Sequence, residues 1–92
     1  MIKNIKHKGL KKFYEEGDVR HLPSQYIAKI KRILTALEAT QKPGDLDIPG
    51  FRLHPLSGDL KNFWSVTVAS NWRIIFRFDD GDNCDVDYID YH

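Results

Sequence analysis

Two apolar periods divide the chain, one helical and one extended, and they meet near Gly50. Leu10, Phe13 and Tyr14 stand at i, i+3 and i+4, which predicts a short helix over residues 8–16 that Gly17 stops. Ile27, Ile30, Leu34 and Leu37 follow at spacings of 3, 4 and 3, with Ile33 widening the stripe. They predict a longer helix, opened by Pro23 or Ser24 and closed at Lys42-Pro43-Gly44. Ile2 and Ile5 suggest a short opening strand ahead of both. The Gly/Pro/Asp-rich stretch through Gly50 reads as a connecting loop.

Beyond Gly50 the period falls to two. Phe51-Arg52-Leu53-His54 alternates, and Pro55 confines that strand to an edge or a bulge. Trp64, Val66 and Val68 share one face of the next strand, with Ser65 and Thr67 on the other. Ser70-Asn71 predicts a tight turn with Asn71 in the left-handed region. Trp72, Ile74, Phe76 and Phe78 form a second apolar face opposite Arg73, Ile75 and Arg77. Asp79 to Asn83 predicts another turn, and residues 84–91 the last strand. The expected fold class is α+β: two N-terminal helices packed on one face of a small twisted antiparallel sheet. Its other face is left with Arg, His, Ser and Thr.

Ninety-two residues, 41% of them apolar, suit a single domain spanning residues 1–92. Cys84 is alone, which excludes an internal disulfide and suggests a reducing, cytoplasmic setting. The longest strongly apolar run, Ile74 to Phe76, is far too short for a membrane span, and no apolar segment follows the charged start as in a signal peptide. The net charge of +1 hides an asymmetry: residues 1–32 carry nine Lys and Arg against three acidic residues, and the remainder carries five against ten. The basic third offers a surface for nucleic acid or an acidic partner; alternatively Lys8, Lys11 and Lys12 simply solvate a helix.

The five aspartates from Asp79 to Asp87 do not match a calcium loop, because Gly81 comes too early and Cys84 interrupts the oxygen series. His7, His21, His54 and His92 lack zinc-ligand spacing. Neither a metal nor another cofactor is expected. The remaining chemistry is His54 with the final residues Asp90, Tyr91 and His92, alongside the fixed charges of Arg52, Arg73 and Arg77. Two imidazoles, a carboxylate and positive charge are what metal-free RNA cleavage requires. Strict alternation sets Tyr91 on the opposite face from Asp90 and His92, so all three share a cleft only if the strand twists, bulges or ends there.

Arg52-Leu53-His54-Pro55-Leu56-Ser57-Gly58, Trp64-Ser65-Val66-Thr67-Val68, Asn71-Trp72-Arg73-Ile74-Ile75-Phe76 and the closing Asp90-Tyr91-His92 resemble the HigB family of toxins. That family lies within the RelE/ParE superfamily of type II toxin–antitoxin systems. The resemblance spans the whole chain and implies a RelE-like domain that cuts messenger RNA in the ribosome's decoding site. It implies a site centred on His54, Asp90, Tyr91 and His92, with Arg73 contacting phosphate. It also implies a cognate antitoxin with a helix-turn-helix DNA-binding domain, through which alone operator DNA would be met. The rival reading within the superfamily is a ParE-like toxin that poisons gyrase by binding, without catalysis.

Overall fold

The longer of the two helical stripes organises the architecture. In a computed structural model of the chain, which describes residues 1–91, helix α2 (Ile27–Ala39) buries Ile30, Ile33, Leu34 and Leu37. A 3-10 turn, Ser24–Tyr26, leads into it. It ends before the predicted Lys42-Pro43-Gly44 stop, because Thr40 leaves the helical region and its hydroxyl donates back to the Ala36 carbonyl at 2.6 Å. Helix α1 (Lys8–Glu16) has His7 as its N-cap, whose Nδ1 accepts from the Leu10 amide at 3.0 Å. Gly17, at φ 72, closes α1 by donating to the Lys12 and Phe13 carbonyls.

Four antiparallel strands follow in spatial order β1 (His54–Pro55), β2 (Phe63–Ala69), β3 (Trp72–Asp79) and β4 (Asp82–Asp90). Val66, Val68, Ile74, Phe76, Val86 and Tyr88 join Leu10 and the buried stripe of α2 in one core cluster. Each such side chain contributes about 1.5–3 kcal/mol relative to its exposed state. Both helices therefore cover the same face of the sheet, as the change of period requires. The opposite face is less uniformly polar than the alternation implies. Ile75 is buried there in register with Ser65, itself only 3% exposed.

Three one-residue irregularities shape the sheet. In β2, Thr67 and Ala69 face the adjacent residues Arg73 and Trp72, leaving Val68 extra. In β4, Cys84 and Asp87 are three residues apart where their partners Arg77 and Ile75 are two apart, and Asp85 takes φ 53. The third lies beside β1. The Thr67 amide bonds to the Phe51 carbonyl at 2.7 Å while His54 pairs with Ser65, so the chain between Phe51 and His54 bulges outward. The predicted Phe51–His54 strand thus shrinks to His54–Pro55, with Arg52 in the left-handed region at φ 52. For a non-glycine residue that conformation costs roughly 1–2 kcal/mol.

The β2–β3 turn uses Ser70, at φ 50, rather than Asn71 as its left-handed residue. Asp80 and Gly81, at φ 51 and 86, make the β3–β4 turn as a pair of positive-φ residues. The opening segment forms isolated parallel bridges from Ile2 to Asn83 and from Ile5 to Val86. Between them Asn4 grips Asp85 twice: its Nδ2 donates to the carboxylate and its Oδ1 accepts from the Asp85 amide, both at 2.9 Å. Among the described residues no helix is long and apolar enough to cross a membrane.

Candidate active site

On the helix-free face, residues from four parts of the chain converge. A shallow cleft of about 290 Å³ is lined by Arg52, Leu53, His54, Ser65, Thr67, Arg73 and Tyr91. Its size falls just below the ~300–1,000 Å³ of small-molecule sites, so it is a groove for part of a longer chain rather than an enclosing pocket. Strand pairing explains the convergence. His54 lies opposite Ser65, and Thr67 lies opposite Arg73 one step further along the same face. Arg73 then lies opposite Ile89. Tyr91 follows two residues later, its amide bonded to the Asn71 carbonyl at 2.8 Å. With ~4.8 Å between strands, the groove crosses the whole sheet.

Arg73 is set by its own hairpin. Nη1 donates to the Ser70 carbonyl and, at 3.3 Å, to the Trp72 carbonyl. These bonds fix the plane of the guanidinium, and among the described residues no carboxylate pairs with it. Such a fork is prepared for a phosphate. Thr67 and Ser65 add hydroxyls to the floor, and Tyr91, 41% exposed, offers a ring on which a base can stack.

Arg52, His54, Arg73 and Tyr91 are thus brought together from the sequence-derived set. Asp90 pairs with Trp72 and does not line the cleft, as alternation requires. His92 lies outside the described residues. Arg77 is carried away from the groove: its Nε bonds to the Asp85 carboxylate at 3.3 Å, and Asp79 lies 3.9 Å from its Nη1. Lys8, Lys11 and Lys12 sit on α1, in the helix layer across the sheet from the cleft. Two cations that sequence reasoning left as surface residues, Lys29 and Arg32, lie close to the Gly50–Arg52 bend. Their helical spacing gives no hint of that.

A larger groove of about 640 Å³ runs between α1 and α2, lined by Phe13, Tyr14, Leu34 and Glu38 among others. Its reactive groups satisfy each other. The Tyr14 hydroxyl donates to Glu38 at 2.5 Å, and chiefly for that reason the phenol is pushed up to about 12. The groove holds no convergent chemistry, so the smaller cleft is the candidate site. Among the described residues no three His, Cys, Asp or Glu side chains are grouped as metal ligands would be.

Comparison with known proteins bears on the family and the fold. The profile of a family described as the RelE-like toxin of type II toxin–antitoxin system HigB matches residues 3–92. The Endoribonuclease HigB of Proteus vulgaris is 44% identical over 92 residues, covering 100% of both chains. Toxin HigB-1 of Vibrio cholerae serotype O1 is 39% identical over 95 residues, covering 100% of this chain and 98% of the other. Among solved structures, YafQ from E. coli superposes with a TM-score of 0.59 at 21% identity, covering 92% of this chain and 88% of that one. That last likeness speaks to the fold alone.

Proposed function

The chain belongs to the HigB-like family of RelE-like toxins of type II toxin–antitoxin systems, and we propose that its cleft is the active site of a ribosome-dependent messenger-RNA endonuclease that halts translation. One observation carries the reading. Arg52, His54, Arg73 and Tyr91, distant in sequence, line a single groove on the helix-free face. The name of the Proteus vulgaris relative supports endoribonuclease activity. The gyrase-poison reading is not favoured, since the groove gathers proton-transfer and phosphate-binding groups that a purely binding toxin does not need.

In the proposed reaction the ribose 2′-oxygen attacks the adjacent phosphorus in line, and the bond from phosphorus to the 5′-oxygen of the next nucleotide breaks. The products are a 2′,3′-cyclic phosphate and a 5′-hydroxyl. His54 takes the 2′-hydroxyl proton. Arg73, assisted by Arg52, holds the phosphoryl oxygens as negative charge builds on them. Tyr91 stacks on a splayed base. His92 is assigned the acid that protonates the leaving 5′-oxygen. Each such proton transfer contributes typically ~10²–10⁴-fold.

The proposal extends to partners: a cognate antitoxin with a helix-turn-helix DNA-binding domain, the ribosome and its message, and operator DNA only through the antitoxin complex. The 92 residues act as one domain in the cytoplasm, and no cofactor takes part. The test is incubation of purified protein with programmed ribosomes and end-labelled message. Specific cuts ending in a 2′,3′-cyclic or 3′-phosphate are expected, and their persistence after EDTA, with ribosome integrity controlled separately, is expected too. A protein that arrests growth yet leaves message intact on ribosomes refutes the reading.

A further inference from the structure

The cations around the Gly50–Arg52 bend form a cluster without a counter-charge among the described residues. Lys29, in the first turn of α2, donates from Nζ to the Gly50 carbonyl at 3.0 Å. One turn further on, the Arg32 guanidinium carbon lies 5.8 Å from the centroid of the Phe51 ring. Both side chains therefore rest on the two residues preceding Arg52, which itself lines the mouth of the cleft. Burial lowers the affinity of the Lys29 ammonium for its proton, and the charges of Arg32 and Arg52 lower it further.

Among the described residues no carboxylate lies within ion-pair distance of Lys29, Arg32 or Arg52, whereas Arg20 pairs with Asp18 and Arg77 with Asp85. The first turn of α2 contains no acidic residue to offset the positive end of the helix. Like charges held together without a partner weaken a fold, and a polyanion supplies the missing partner.

We infer that Lys29, Arg32 and Arg52 form a second phosphate site that grips RNA backbone beyond the cleavage point, continuous with the cleft through Arg52. The inference rests on the RNA-cleaving reading above and adds a track leading from the groove towards α2. The phosphodiester chemistry is common to two sources, the message flanking the cut codon and a ribosomal RNA strand.

The test uses the full chain carrying Lys29→Gln and Arg32→Gln, which spares the cleft and leaves position 29 a donor for the Gly50 carbonyl. Binding to a message oligonucleotide and to empty ribosomes is measured across a salt series, alongside cleavage on programmed ribosomes. The variant should keep its thermal midpoint or raise it. Its binding should weaken about tenfold near 0.15 M salt, and its log K against log salt should be shallower by about 1.4, since each single-strand phosphate contact contributes roughly 0.7. In cleavage the loss should fall on KM with kcat within about twofold, and the Lys29→Arg, Arg32→Lys variant should restore it. A loss confined to the oligonucleotide identifies flanking message; a loss on empty ribosomes identifies ribosomal RNA. Unchanged affinity and slope towards both, in a folded variant, overturn the inference. If the parent protein cuts no RNA, the cleavage reading fails by itself, and the binding series still decides the second site.

Discussion

Arg73 and Arg77 stand four residues apart on one face of β3, yet the protein treats them in opposite ways. Around Arg73 the face is open: hairpin carbonyls orient the guanidinium, and His54, Thr67 and Tyr91 share its groove. Around Arg77 it is the charge that is closed off: Asp85 and Asp79 pair with it, although Pro55, Leu56 and Trp64 line a groove of about 620 Å³ at its side. A charge that the fold has already answered stabilises the molecule, and one left unanswered is available to a ligand. Residue type alone does not separate the two cases.

The sharpest way to break this contrast is at the open end. His54→Ala should lower the cleavage rate about 10²–10⁴-fold, measured in single turnover on programmed ribosomes. Thermal unfolding should move little, because substitutions at exposed positions usually fall within about ±0.5 kcal/mol. A variant that cuts at the parental rate removes His54 from the mechanism.

Next in size is the arginine pair itself. Arg73→Ala should cost about 10²–10³-fold in rate, the scale of losing one preorganised donor to a developing negative charge. Arg77→Ala should stay within a few-fold of the parent in rate and lose at most about 1 kcal/mol of stability, as expected for a partly exposed ion pair. Equal losses of activity from the two would erase the distinction drawn between them.

The smallest effect is a pH dependence at the closed end. The Asp85 carboxyl is held below its ordinary value, first by the Asn4 amide and then by Arg77. A carboxylate with a depressed folded pKa contributes stability above its unfolded value, near ~3.9, and loses it as the pH falls through the folded value. Asp85→Asn should therefore flatten the acid limb of the stability curve while leaving cleavage at neutral pH within about twofold. An acid limb identical to the parent's would show that Asp85 carries none of it.

Much of this was legible in the sequence wherever a period repeats. Ile30, Leu34 and Leu37 mark the buried stripe of α2, and Val66, Val68, Ile74 and Phe76 mark the covered face of the hairpin. The same period of two placed His54 and Arg73 on the face that the structure gathers into a groove, but it did not decide whether Tyr91 or Asp90 would join them there. The irregularities at Arg52, Val68 and Asp85 were not legible, because one extra residue has no composition of its own. Arg52, Ser70 and Asp85 reach positive φ without being glycine; Asp85 is held there by Asn4, far away in the chain. Lys29 and Arg32 were hidden for a related reason. On a helix a cation beside another cation looks like any solvated side chain until the bend at residues 50–52 comes alongside.

The grip of Asn4 on Asp85 decides which side of the sheet the chain's last residues address. Strand residues alternate between sides, so every position beyond a given point has an odd or even sense. The extra residue at Asp85 reverses that sense once: Cys84 faces the open side, and so do Asp87, Ile89 and Tyr91, all at odd separations from it. Were the same residues paired one to one, with no bulge, Tyr91 would turn towards the helices and Asp90 would take its place at the groove. Removal of the single residue Asp85 is thus expected to close the bulge and keep Tyr91 at the groove, whereas losing Asp85 together with Val86 would invert the strand end as a unit and turn Tyr88 out of the core. An asparagine in the opening segment thus braces the irregularity that turns Tyr91 to the groove.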